Sequence, residues 1–241
     1  MINKELDTYI GIISSKRFTN VSQMSQVVGN ATWYVGKGEA GHYRAMGAEY
    51  VKESGGLCES RNQLLRDAWA LDKPCLQLSD DLKGLGKAYI CPKKKKKKKK
   101  IDFYTSVKYM LHSLEGGAFM AGVAPTSNPF FWQKDKPISE KNFIVGDMIL
   151  VKPCDLYFDE QLKLKEDYDY TLQHLTKYGK VARVNYLLVD FQHRTNKGGA
   201  VAYRMRNKEA EKIAIKYLQD KWGEHIKLNT KRVDEILLRW K

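Results

Sequence analysis

Sulfur chemistry has little to work with in this chain. Its 241 residues hold four cysteines, Cys58, Cys75, Cys91 and Cys154, with no C-x-x-C pair and no metal-ligand spacing among them. That pattern excludes zinc ribbons and dithiol redox motifs. Two of the four lie in or beside apolar runs, as buried free thiols in a reducing compartment do. No apolar stretch of signal-peptide type opens the sequence, and no run approaches the 18 or so apolar residues of a membrane span. The expectation is a cytoplasmic protein with no membrane partner. Internal repeats are absent. Acidic residues are also in short supply, with 28 Asp and Glu against 42 Lys and Arg, a formal net charge of +14. Eight of those positive charges fall in the unbroken lysine run 93–100, and without it the balance would be +6. A surface of that sign favours polyanions: nucleic acid, anionic lipid or a phosphorylated substrate. Hydrophobic residues at 43% and charged ones at 29% place the chain among folded globular proteins, long enough for a sizeable core.

The first third alternates short apolar runs with amphipathic stretches. Strands are expected at 9–13, 32–35, 49–52 and 75–78. Helices are expected at 20–28, with Asn20 as cap and Val21, Met24, Val27 and Val28 on one face, through Met46, and over 58–70. Alternation at these lengths predicts an α/β fold, with a mostly parallel Rossmann-type central sheet and helices on both faces. The second half is less regular. A helix is expected near 104–114, strand material at 143–151 and 181–189, a helix opening at Glu166-Asp167-Tyr168-Asp169, and two terminal helices at 207–222 and 230–239. The reading is one domain over 1–241. Residues 1–90 form a nucleotide-binding-type half, 101–206 a second half, and 207–241 the terminal helices.

Chemistry concentrates at the end of the fourth run, Leu78-Ser79-Asp80-Asp81-Leu82. Adjacent carboxylates closing an apolar strand sit where an open α/β sheet presents its ligands, and their hard oxygens suit Mg²⁺ or Mn²⁺ against a diphosphate. The competing reading has Asp80 and Asp81 capping a short helix over 82–87. Gly36-x-Gly38-x-x-Gly41 follows a strand and opens a helix, yet an earlier strand already exists and the helix is short. It reads as a glycine turn near a ligand rather than a dinucleotide fingerprint. Arg61 and Asn62, near a helix start, offer a phosphate fork and a base or ribose partner, or else a solvated helix face. Phe130-Phe131-Trp132 reads as core packing or as a stacking surface.

Taken together, Ile13-Ser-Ser-Lys-Arg-Phe18, Thr32-Trp-Tyr-Val-Gly36, Glu59-Ser-Arg-Asn62, Leu78-Ser-Asp-Asp81, Glu166-Asp167 and Thr195-Asn-Lys-Gly-Gly199 resemble the TET/JBP-associated, GT-A-like glycosyltransferases. Within that group the chain is similar to the β-glucosyl-HMC-α-glucosyltransferases of T-even-like phages. The similarity spans most of 8–205 and is most specific over 8–82. It implies a GT-A-like fold and sugar transfer from a UDP-sugar, by preference UDP-glucose, to 5-hydroxymethylcytosine or its glucosylated form in double-stranded DNA. It also implies action in the cytoplasm of a phage-infected bacterium. Carried over residue by residue, Ser14, Ser15, Arg17, Gly36, Arg61, Asn62 and Asp80 would hold the donor nucleotide. Asp81 and His193 would hold Mn²⁺ or Mg²⁺. Asp167, with Glu166 beside it, would serve as general base. Basic residues Lys180, Arg183, Arg194, Lys197, Arg204 and Arg206 would meet DNA. Ser-Asp-Asp stands where the family has Asp-x-Asp, so the metal ligand assignment rests on Asp81 as first choice. The lysine run matches no family feature, and reads as a solvated loop that tracks phosphates or as a replaced loop. Two other readings remain open from sequence: a non-catalytic basic nucleic-acid-binding module, and a sugar-nucleotide enzyme with another donor, such as arabinose, or a non-DNA acceptor.

Overall fold

A computed structural model describes residues 1–192, 203, 207, 209–232 and 234–241. Its centre is a nine-stranded mixed sheet of order β4-β3-β2-β5-β10-β8-β11-β9, with β1 (Ile2–Asn3) pairing off this path onto β2. The parallel block is β2 (Thr8–Ile13), β3 (Thr32–Val35), β4 (Tyr50–Glu53) and β5 (Cys75–Ser79). β8 (Met120–Val123) and β11 (Ala182–Val184) run the same way, so six of nine strands share a direction. Against them run β1, β9 (Ile138–Ser139) and β10 (Met148–Val151).

Both faces of the sheet's centre are covered, because β2, β3, β5, β8 and β10 bury consecutive residues and have no polar side to offer water. One face holds Ile10, Ile12, Leu76 and Leu78 against α1 (Val21–Val28) and α4 (Phe103–Ser113). The other holds Tyr9, Cys75, Ile149 and Val151 against α3 (Leu57–Trp69), α5 (Glu166–Tyr178) and α6 (Ala210–Trp222). A short helix, α2 (Ala40–Ala45), joins β3 to β4. Asp102 starts α4 by accepting from Thr105 N at 2.7 Å, and Gly179 ends α5 in the left-handed conformation with φ of 72°. Helix α3 lies so close to β2 that a Cβ at Gly11 would stand 2.5 Å from Leu64. None of the four cysteines is in a disulfide; Cys58, Cys75 and Cys91 are buried. Among the described residues, no helix is long and apolar enough to cross a membrane.

Five of the sequence readings need correction. Residues 82–87 are no helix: they belong to β6 (Leu82–Ile90), so Asp80 and Asp81 cap nothing. Within the lysine run, β7 (Lys96–Lys100) is an edge strand paired antiparallel to β6, in a separate three-stranded sheet with β12 (Leu187–Phe191). Pairing partners override the poor strand propensity of lysine there. The apolar stretch 181–189 breaks at Asn185–Tyr186, because its two ends serve different sheets. Finally, 230–239 is no helix. β13 (Ile226–Leu228) and β14 (Ile236–Leu238) form an antiparallel hairpin that buries Ile226 and Ile236 on the α6 side of the core. The strand expected at 143–151 shortens to β10, leaving Gly146 and Asp147 as its entry.

Candidate functional site

The chain leaves β2 toward β3 and β4 on one side, then returns to place β5 on the other. Between β2 and β5 the strand order therefore reverses, the point where open α/β sheets take their ligands. A cavity of about 660 Å³ lies there. Ser14, Ser15 and Arg17 after β2, and Ser79, Asp80 and Asp81 at the end of β5, form one wall. Because β10 is antiparallel to β5, its entry, Gly146 and Asp147, reaches the same rim. The start of α3 and the start of α5, with Glu166 and Asp167, close the other side.

Asp80 is held from two directions. Ser14 Oγ donates to its Oδ2, and Arg17 Nη1 donates to its Oδ1 at 2.8 Å. The same guanidinium nitrogen stands 3.7 Å from Asp81 Oδ2. Burial pushes the Asp80 carboxyl up to about 6, against the opposing pull of Arg17. Tyr43 braces this corner: its hydroxyl is 2.6 Å from Ser14 Oγ and accepts from Arg17 N at 3.2 Å. Glu39 fixes the next turn by accepting from Ser15 Oγ at 3.0 Å and from Lys16 N at 2.8 Å. Between them Lys16 is in the left-handed region with φ of 57°, a strained backbone beside the cavity.

Arg61 organises the opposite wall. Its Nε donates to Glu166 Oε1 at 3.2 Å, Nη1 to Gln77 Oε1 at 3.1 Å, and Nη2 to the Gly146 carbonyl at 2.9 Å. It thereby ties α3, β5, the β10 entry and the α5 start together. Gly146 N in turn donates to Asp167 Oδ2 at 2.9 Å. A Cβ on Gly146 would stand 2.7 Å from the Arg61 guanidinium, so only glycine permits this approach. Burial, and then the neighbouring charge of Glu166, raise the Asp167 carboxyl to about 7. A carboxylate poised near neutrality is matched to proton transfer.

Two helices begin at this cavity, and neither has a side-chain bond from its N-cap residue, although Asp167 Oδ1 accepts from Tyr168 N at 3.0 Å within the first turn of α5. Gly56 precedes α3, and Lys165, left-handed with φ of 60°, precedes α5. Unsatisfied N–H groups and the positive helix end suit a phosphate at the α3 start. Among the described residues, no three His, Cys, Asp or Glu side chains converge as a ready-made metal cage. Asp80 and Asp81 fit the sparser arrangement of Mg²⁺, one or two carboxylates completed by substrate phosphates and water.

Of the residues singled out in sequence, Ser14, Ser15, Arg17, Arg61, Asp80, Asp81, Glu166 and Asp167 meet in this one cavity. Others do not. Gly36 is absent from the lining; a Cβ there would stand 2.5 Å from the Glu39 carboxylate, so the glycine makes room for that brace. Asn62 faces away from the cavity, donating to Phe158 O at 2.9 Å and accepting from Phe158 N at 2.8 Å, which pins the segment before α5. Lys180 donates to Gly116 O at 2.5 Å and borders a second cavity of about 610 Å³. Half-buried Arg183 donates to Asn185 Oδ1 and to Phe143 O. His193, Arg194, Lys197, Arg204 and Arg206 lie outside the described residues. Sequence reading missed Glu39, Tyr43, Gln77, Gly146 and Asp147. The Gly146-Asp147 pair carried a signal, a turn dipeptide directly before an apolar run, that the longer strand expectation hid. No protein-family model matches the chain, and no curated protein matches it.

Proposed function

We propose that the protein is a divalent-metal-dependent glycosyltransferase with a GT-A-like fold. It moves a sugar, by preference glucose, from a UDP-sugar to 5-hydroxymethylcytosine or its glucosylated form in DNA, within a phage-infected bacterial cytoplasm. One observation carries the reading. The polar end of β2, the Asp80–Asp81 pair at the end of β5 and the Glu166–Asp167 pair at the start of α5 line a single cavity at the reversal of strand order.

Each group has a task in that reaction. Ser14, Ser15 and Arg17 bind the donor nucleotide, and the uncapped start of α3 receives a phosphate. Arg61 is a positioning residue, since its guanidinium is taken up by Glu166, Gln77 and Gly146. Asp81, with Asp80, would hold Mn²⁺ or Mg²⁺. When bound, the ion supplies charge stabilisation at the diphosphate leaving group. Asp167 takes the proton of the acceptor hydroxyl as that oxygen forms its bond to the anomeric carbon. The bond from the anomeric carbon to the UDP oxygen breaks, and its electron pair leaves with UDP. A single displacement of this kind inverts the centre, so an α-linked donor gives a β-linked product.

The test mixes the protein with labelled UDP-sugars, Mn²⁺ and DNA containing cytosine, hydroxymethylcytosine or glucosyl-hydroxymethylcytosine. Label retained in modified DNA, lost with EDTA and lost in Asp81→Ala, is the expected result. UDP release only with a non-DNA acceptor replaces the acceptor class. No turnover with any of these donors and acceptors overturns the enzyme.

A further inference from the structure

A second charged region stands apart from the cavity, on the β6–β7 ribbon. Lys93, Lys94 and Lys95 lie at its turn, closed by Cys91 N donating to Lys95 O at 2.9 Å, and the other five lysines form β7. β7 is the edge of its sheet, and all of its run except Lys98 is exposed. Among the described residues only Lys98 of the run meets a carboxylate, that of Asp190. Lys97 and Lys99 stand opposite Tyr89 and Lys87 in the register. Lys96 Nζ donates to Phe130 O at 3.2 Å, joining the strand to the turn Pro129–Phe131.

That turn presents two aromatic rings to water. Phe130 is 72% exposed and Phe131 66%, with ring centroids 5.4 Å apart and edge to face. The presentation is built rather than frayed. Asn128 Oδ1 accepts from Phe130 N at 2.9 Å, and Trp132 beneath is buried against Ala88 and Leu188. A row of cations beside two supported, solvated rings matches a ligand that has both a linear negative backbone and flat apolar faces.

We infer that the β6–β7 ribbon and the Phe130–Phe131 turn form a docking ledge for a DNA strand with locally unstacked bases, lysines on phosphates and rings on bases. Lysines on one face of a strand repeat every two residues, about 6.7 Å, which lays their charge out in a line as a phosphate backbone does. Every base has a π-face, so two rings serve without reading sequence. A lipid surface asks for a broad apolar face, which two rings do not supply. The ribbon begins at Leu82, directly after Asp81, and Lys100 pairs with Gly86, four residues or about 14 Å further along the strand. The ledge therefore leads away from the rim of the cavity. The choice of DNA over other nucleic acids rests on the proposed function, whereas the ledge stands on its own charge and rings.

Fluorescence anisotropy across a salt series tests it, with a labelled single strand of about 20 nucleotides, its duplex, heparin and phosphatidylserine vesicles as probes. Replacing Lys93, Lys94, Lys95, Lys96 and Lys100 by Gln, the turn lysines and the exposed ones on the β7 face that meets the Phe130–Phe131 turn, is expected to weaken single-strand binding at least about tenfold at 0.1 M salt and to flatten the log–log salt slope by about 3. Phe130→Ala with Phe131→Ala is expected to cost about 5- to 100-fold on the single strand and less than about twofold on heparin. Unchanged DNA binding in either variant, an equal loss on heparin in the phenylalanine variant, or tighter binding to vesicles than to DNA overturns the ledge. Unchanged melting temperatures show that both variants fold. Sugar transfer, measured in parallel on a free hydroxymethylcytosine nucleoside, separates the two readings: an inert protein that holds DNA as expected sinks the enzyme and leaves the ledge.

Discussion

The cavity and the ribbon are both crowded with charge, and they treat it in opposite ways. In the cavity, Asp80, Asp81, Asp147, Glu166 and Asp167 share about the same space as Arg17, Arg61, Lys163 and Lys165, and the central ones are buried and bonded. On the ribbon one sign dominates and solvent surrounds it. Buried charge that is paired through several hydrogen bonds has its geometry set and its proton affinity shifted, which is what chemistry on a substrate needs. Exposed charge of one sign attracts at a distance, which is what capture of a polyanion needs. The contrast teaches that net charge says little until burial has divided it between these two uses.

The largest effect is expected from Asp167→Asn. If the raised carboxyl is the base, turnover falls by about 10²- to 10⁴-fold, while UDP binding stays within a few-fold, as single-turnover kinetics and calorimetry read it. The same variant carries a stability signature. A carboxyl whose folded value is raised to about 7 binds its proton more tightly when native. Its stabilising contribution is complete below about pH 4 and is lost as pH climbs through 7. Wild type should therefore lose melting temperature relative to Asp167→Asn between about pH 5 and 8, and a constant gap over that range removes the assignment.

Next comes Arg61→Met, which leaves Glu166 buried without its cation and is expected to cost about 3–5 kcal/mol in urea unfolding. A loss under about 1 kcal/mol would mean that the wall is held by packing alone. Gly146→Ala puts a methyl against the same guanidinium, with an expected cost of about 1–3 kcal/mol, and a weakened Gly146 N–H bond to Asp167 seen as an upward shift of its titration, because that bond favours the carboxylate. Smallest is the ribbon. The five-lysine replacement should change stability by less than about 0.5 kcal/mol, since exposed charges contribute little to folding. A loss comparable to that of Arg61→Met would erase the distinction between the two regions.

How legible each region was in sequence follows from how local its determinants are. β3 spans residues 32–35 as the alternation of apolar runs predicts, α3 is displaced by one residue at both ends, and β5 is one residue longer at its end. Parallel strands buried on both faces leave an unmistakable apolar block, and a polar cluster at its end marks the ligand rim. Arg61 was readable as a cation near a helix start, but its partners Gln77, Gly146 and Glu166 come from up to 105 residues away and no local pattern encodes them. Asn62 shows the same blindness. One residue further round the helix it serves Phe158 rather than a ligand. The lysine strand was unreadable because its pairing to β6, not its own preference, makes it a strand.

By itself the sequence determined the layered α/β plan, the polar ends of β2 and β5, and the excess of positive charge, because hydrophobic period and composition act within a few neighbours. Only the tertiary structure decided which of those polar ends share a cavity, that Gly146 lets Arg61 and Asp167 meet through the backbone of one residue, and that a lysine edge strand runs beside two exposed rings. Those outcomes depend on chain reversals between distant segments, where strand pairing and close backbone approach outweigh local preference.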